Sequence, residues 1–117
     1  MAMKLNERGF EHAKALIIDG RFVHDDRDAW SDHQPSAADE NRFIEDHGIQ
    51  EFGRWYLGVD EDAGEDTKGH YKFPYGDFRR VHRCGVISAE SRAAQNDYDD
   101  ITKAVEELHE LLDGDHA

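Results

Sequence analysis

A short basic stretch, residues 68–85, contains the side chains that are best suited to binding an anion. It reads KGHYKFPYGDFRRVHRCG and holds five Lys or Arg residues against a single acid. Its net charge of +4 contrasts with -13 for the whole chain, which leaves -17 on the other residues. Guanidinium groups bind carboxylates and phosphates in a bidentate manner, and nearby aromatic rings provide stacking surfaces. The predicted binding residues are Lys72, Arg79, Arg80, Arg83, Tyr71, Tyr75 and Phe78.

The predicted position of the arginines is consistent with an anion site. Asp77 can cap a helix over residues 78–95, and three arginines would then lie in its first turns, where the helix macrodipole disfavours cations. A phosphate or carboxylate bound by the free N–H groups at the helix start would compensate for this charge. The alternative is that the arginines neutralise the chain's own acidic loop, residues 60–66. Both interpretations remain open at this point.

The acidic remainder of the chain restricts the class of partner. Its long-range field disfavours an extended nucleic acid more than a small anion or an acidic protein segment. We therefore expect a non-enzymatic binding module for an acidic protein segment or small anion. An alternative, which belongs to a different function class, is an acidic decoy whose negative surface imitates nucleic acid and occupies a basic partner.

Cysteine and histidine chemistry gives a third hypothesis, an enzyme. Cys84 lies beside arginines near a predicted helix start, which lowers a thiol pKa, and His82 or His109 could act as its base. However, Cys84 also falls on a face of small residues that is expected to be buried, which favours a packing role. The eight histidines lack the HExxH spacing, and the His24-Asp25 pair lacks the rest of a metal-hydrolase ligand set. The acidic loop 60–66 does not have the spacing of a calcium-binding loop. Taken together, these observations predict no catalytic residue, metal or cofactor.

Four helices and a hairpin are predicted to position these residues, giving an α+β fold. The helical patterns cover about residues 7–18, 36–47, 78–95 and 97–114. The predicted caps of the first, second and last are Asn6, Ser36 together with Asp39, and Asp97. The last pattern is the clearest, and it should pack antiparallel to the helix before it because a tight turn joins the two. Two extended stretches, 49–59 and 71–75, predict an antiparallel hairpin with a polar tip, and Pro74 places its strand at an edge or ends it. Residues 21–35 match neither periodicity and are predicted to form an ordered loop.

The chain as a whole has the properties of one small acidic domain, residues 1–117. Its single cysteine excludes a disulfide within the chain. No apolar run exceeds four residues, so neither a signal peptide nor a membrane-spanning helix is expected. We expect a cytoplasmic monomer.

Part of the chain also resembles known sequences. Residues 55–95 read WYLGVDEDAGEDTKGHYKFPYGDFRRVHRCGVISAESRAAQ, and an amphipathic pattern follows to Leu112. This half of the chain is similar to small uncharacterised acidic bacterial proteins and shares a pattern with segments linked to tailed-phage head proteins. The matching positions are Lys72, Phe73, Pro74, Gly76 and residues 92–95. The resemblance implies an α+β module of unknown activity and phage-related origin; it carries no protease activity to this chain.

Overall fold

The computed structural model describes residues 3–26 and 29–114, and within these ranges it contains six α-helices and five strands. The helices are α1 (Glu7–Ile18), α2 (Trp30–His33), α3 (Ala37–His47), α4 (Ile49–Gly53), α5 (Arg83–Gln95) and α6 (Asp99–Gly114). The strands are β1 (Met3–Leu5), β2 (Phe22–Val23), β3 (Tyr56–Asp60), β4 (Tyr71–Pro74) and β5 (Val81–His82). None of these helices is both long enough and apolar enough to span a lipid bilayer.

Two separate sheets confirm the α+β class. The larger one is antiparallel, in the order β1-β3-β4, and contains the predicted hairpin of β3 and β4. β4 is therefore an edge strand that ends at Pro74. Proline has no backbone N–H, so its position at this edge costs the sheet no hydrogen bond. The smaller sheet is the parallel pair of β2 and β5, in which Val23 lies opposite His82. This pair holds the segment after β2 against the start of α5.

The first and third helices follow the predicted boundaries, but their caps differ from each other. At α3 the Ser36 hydroxyl accepts from the Asp39 N–H, and the Asp39 carboxylate accepts from the Ser36 N–H. This reciprocal pair is the predicted capping arrangement. At α1 the Asn6 side chain does not cap the helix and instead donates to the carbonyls of Gly53 and Tyr56, so it ties α1 to the sheet.

The predicted helix over 78–95 is wrong in its first five positions. Phe78 has a φ of 70°, in the left-handed region, so no right-handed helix can pass through it. The chain instead makes a tight turn in which Gly76 bridges to Val81, and α5 begins only at Arg83. The arginines Arg79 and Arg80 therefore precede α5 and do not lie in its first turn.

Three other boundaries also differ from the predictions. Residues 49–53 form α4 before the strand begins, and the predicted loop 21–35 contains β2 and α2. Asp97 does not cap α6 but has a φ of 58° in the turn between the last two helices, and α6 begins at Asp99.

The core lies between the larger sheet, α1 and the helix pair α5 and α6. The predicted pairing of the last two helices is confirmed, and the apolar face of α6 is buried at Ile101, Val105, Leu108 and Leu112. Small residues on α5 allow close approach by its neighbours: a Cβ on Gly85 would lie 2.9 Å from both the Trp30 ring and the Tyr75 carbonyl oxygen. The start of α5 is therefore fixed closely against α2 and the chain after β4.

Candidate functional site

The turn between β4 and β5, residues 76–81, carries two of the predicted arginines and is called the arginine turn below. One oxygen of the Asp77 carboxylate accepts hydrogen bonds from the backbone N–H groups of Arg79 and Arg80, at 3.0 and 2.8 Å. The Asp77 N–H donates to the Arg80 carbonyl oxygen at 3.2 Å, which closes the turn. The carboxylate thus fixes the backbone of the two arginines from within the turn.

Phe78 anchors the same turn to the helical layer. Its ring stacks on that of Phe43 in α3, with centroids 4.6 Å apart and planes at 17°. The ring also lies edge-on to Trp55 at 6.0 Å. A bulky residue with positive φ carries backbone strain of about 1–3 kcal/mol, and such strain persists only where the surroundings hold the residue in place. The turn is therefore a rigid support for its arginines.

The side chains of Arg79 and Arg80 are exposed, and neither has an ion-pair partner among the residues that the structure describes. Lys72, which is half-buried on β4, also has no ion-pair partner in the described part of the chain. Because Asp77 already occupies the backbone N–H groups of Arg79 and Arg80, these residues offer an incoming anion their guanidinium groups.

The other predicted site residues do not join these arginines on one surface. Tyr75 is 0% exposed and its hydroxyl donates to the Arg54 carbonyl oxygen at 2.6 Å, so its prediction as a surface residue is wrong. Arg83 donates to both carboxylate oxygens of Asp113, at 2.7 and 3.1 Å. Tyr71 lines an open groove on which Lys72, Arg79 and Arg80 do not lie. Phe78 packs inward, as described above.

Among the three predicted arginines, Arg83 is neutralised by a carboxylate of this chain. Its partner, Asp113, lies in α6 and not in the acidic loop that the alternative named. Lys68 pairs with Glu40 of α3 at 3.0 Å, and Glu61 of the acidic loop pairs with Lys4 of β1 at 3.7 Å.

The start of α5 does bind a carboxylate, but it belongs to this chain. One oxygen of Asp25, in the segment after β2, accepts from the Cys84 N–H at 2.9 Å. The Asp25 side chain therefore satisfies a free N–H group of the helix and lies where the macrodipole favours negative charge. At the observed start of α5, this N–H group is therefore already bonded within the chain.

Asp25 also belongs to a buried polar cluster centred on His82, which is 3% exposed. The His82 ring lies between two carboxylates: Nδ1 is 2.8 Å from Asp25 and Nε2 is 2.8 Å from Asp77. Burial would raise the pKa of Asp25, but hydrogen bonds from His82 and Cys84 outweigh it and lower the pKa overall. Burial is likewise outweighed at Asp77, whose pKa is lowered by bonds from His82 and the turn backbone. Both ring nitrogens of His82 therefore face a carboxylate oxygen within hydrogen-bond distance.

Cys84 completes the cluster but is poorly suited to be a nucleophile. Its thiol is 0% exposed and lies 3.2 Å from the Asp25 carboxylate. Burial, together with the Asp25 charge, raises the pKa of Cys84 to about 12. The reactive thiolate is therefore scarce at neutral pH, and the predicted packing role accounts for the burial.

His33 was not considered from the sequence, and Asp25 was considered only in the His24-Asp25 pair, which was set aside as a metal site. His33 stacks on His82 with centroids 4.9 Å apart, and its Nε2 is 3.8 Å from Asp25. The only signal was the density of Asp and His in residues 24–33, because a parallel pairing between β2 and a strand almost 60 positions later has no local signature.

Comparison with known proteins adds no further constraint on this site. No family model, no curated protein and no solved structure matches the chain.

Proposed function

We propose that the protein is a non-enzymatic binding module whose arginine turn binds an acidic segment of a partner protein. The observation that carries this proposal is the pair of adjacent, exposed side chains Arg79 and Arg80, without ion-pair partners in the described part of the chain. The hydrogen bonds from Asp77 hold the backbone of the two arginines, so their guanidinium groups start from a fixed pair of Cα positions. Such preorganisation lowers the entropy lost on binding.

The environment of the turn favours carboxylates over a single enclosed phosphate. The backbone N–H groups of Arg79 and Arg80 are bonded to the Asp77 carboxylate, so these two groups are not available to hold a phosphate. Two exposed guanidinium groups on neighbouring residues suit two carboxylates on an extended acidic segment. Exposed ion pairs contribute about 0.2–1 kcal/mol each, so the interaction is weak, local and sensitive to salt.

A titration of the intact chain with a short polyglutamate peptide at low salt tests the proposal. The double variant Arg79→Gln with Arg80→Gln should weaken binding by up to about thirtyfold, the upper value for two exposed pairs of about 1 kcal/mol each. The matched control is Arg92→Gln with Lys103→Gln, which removes the same charge from exposed positions on α5 and α6. Equal weakening by both pairs would show a general charge effect and would remove the site. Inorganic phosphate is the comparison ligand, and phosphate binding that displaces the peptide would favour a small anion.

The other sequence hypotheses stay predictions, and the same protein sample tests them. A decoy would bind a polylysine peptide, with an affinity that falls steeply as salt rises. An enzyme using Cys84 would need a thiol that iodoacetamide alkylates quickly in the native state, and the burial of Cys84 works against this. A cytoplasmic monomer of phage-related origin is part of the proposal.

A further inference from the structure

The buried cluster behind the arginine turn brings three metal-binding side chains together. The carboxylate of Asp25, the imidazole of His82 and the thiol of Cys84 each offer a donor atom, and all three atoms lie within 4.8 Å of one another. From this geometry we propose that Asp25, His82 and Cys84 bind one zinc ion. The site is independent of the proposed peptide-binding function, because it uses none of the arginine side chains.

The donor set and its spacing suit zinc. Thiolate sulfur, imidazole nitrogen and carboxylate oxygen are the ligands that zinc takes in proteins, in tetrahedral geometry. Bond lengths of about 2.0–2.3 Å around a tetrahedral ion place neighbouring donors about 3.3–3.7 Å apart. The Asp25 oxygen is now 2.8 Å from His82 Nδ1 and 3.2 Å from Cys84 Sγ, so these two pairs must open by about half an ångström to admit the ion. The His82 and Cys84 donors, which lie within 4.8 Å of each other, must settle at the same tetrahedral spacing.

Asp77 supplies the support that a metal-binding histidine needs. Zinc-bound imidazoles usually donate their second N–H to a carboxylate, which fixes the ring orientation and increases its basicity. His82 has this arrangement, because Nδ1 points towards Asp25 while Nε2 is 2.8 Å from Asp77. The same carboxylate that shapes the arginine turn therefore orients the ring.

The charge around the cluster also suits a dication. The carboxylates of Asp25 and Asp77 both contact the His82 ring. Zinc binds the thiolate form of cysteine, so the thiol proton of Cys84 leaves to solvent when the ion binds. Zinc likewise binds His82 through an Nδ1 that carries no proton.

His33 marks the open side of the site. Its Nε2 lies 3.8 Å from the carboxylate oxygen of Asp25 that faces His82 and Cys84, and its side chain is partly exposed. Since the three buried ligands leave one tetrahedral position, His33 is placed to supply the fourth ligand from the solvent side.

Cobalt(II) substitution gives a direct test, because Cys84 is the only cysteine in the chain. A cobalt–thiolate charge-transfer band in the untagged wild-type protein would assign the metal to Cys84 without any variant. We expect this band, and we expect one equivalent of zinc to abolish it. Calorimetry in buffers of different ionisation enthalpy should show that protons, including the Cys84 thiol proton, are released as the ion binds. Absence of the band, or saturable zinc binding without it, would overturn the proposal and leave the cluster as a hydrogen-bonded network.

Variants then distinguish this site from adventitious binding to exposed histidines. Cys84→Ser should abolish the band, and Asp77→Asn should weaken zinc binding by about tenfold to a hundredfold, as expected when a supporting carboxylate is lost. His47→Ala is the matched control, because His47 is an exposed histidine on α3 outside the cluster. Equal loss of affinity in His47→Ala and Asp77→Asn would contradict the assignment.

Discussion

Replacing Asp77 should separate its geometric role from its charge. The side chain is 32% exposed and makes three hydrogen bonds, two to backbone N–H groups of the turn and one to the buried His82 ring. In Asp77→Ala, all three are lost. Net values of about 1 kcal/mol for each backbone bond and about 1.5–3 kcal/mol for the bond to a charged group give 3.5–5 kcal/mol. Water can replace part of this at a partly exposed site, so we expect about 3 kcal/mol of lost stability.

In Asp77→Asn the loss should be much smaller. The amide oxygen can still accept from Arg79 and Arg80, and the amide N–H can donate to Nε2 of a neutral His82, whose Nδ1–H remains bonded to Asp25. Only the charge of the carboxylate is removed, at a cost of about 1 kcal/mol.

Urea denaturation of the metal-free proteins, followed by circular dichroism, measures both variants against the wild type. A loss of about 3 kcal/mol corresponds to a fall in melting temperature of about 10–15 °C for a domain of this size. Equal losses in the alanine and asparagine variants, or a loss below about 1 kcal/mol in Asp77→Ala, would refute the proposed role of the carboxylate in shaping the turn.

Three further substitutions test the described packing and electrostatics. In Gly9→Ala the new Cβ would lie 1.8 Å from the Tyr56 carbonyl oxygen, so α1 must move. The free energy of unfolding should fall by about 2–3 kcal/mol, and an unchanged stability would contradict this contact. Ser36→Ala removes the cap of α3 and should cost about 1 kcal/mol, measured in the same way, with no loss arguing against the cap. The hydrogen bond from Arg83 lowers the pKa of Asp113, so its stabilisation is present above the ordinary carboxyl pKa and is lost as pH falls through the lowered value. The stability gap between wild type and Asp113→Asn should therefore be largest near neutral pH and narrow below about pH 4, whereas a constant gap would exclude this linkage.

Local patterns in the sequence predicted much of the fold. The α6 stripe, the capping box at Ser36 and the hairpin ending at Pro74 each depend on residues a few positions apart, so composition and spacing were sufficient. The helix start was misplaced for a specific reason: Asp77 is equally suited to cap a helix or to close a turn. The left-handed backbone of Phe78, stabilised by its stacking on Phe43, decides for the turn.

The candidate site was less predictable because it depends on long-range pairing. The sequence identified Arg79 and Arg80, whose exposure follows from charge, but it also placed Tyr75 on the surface, where the structure buries it. The position of Asp25 beside His82 results from the parallel pairing of β2 and β5, which neither short strand signals by itself.

Chemical-shift mapping of the intact protein with a polyglutamate peptide at low salt tests the central claim most directly. If the arginine turn is the binding surface, amide shifts should concentrate in residues 76–81 and disappear as the salt concentration is raised. Shifts that are absent, or that fall mainly outside this turn, would contradict the proposal that Arg79 and Arg80 form the binding site.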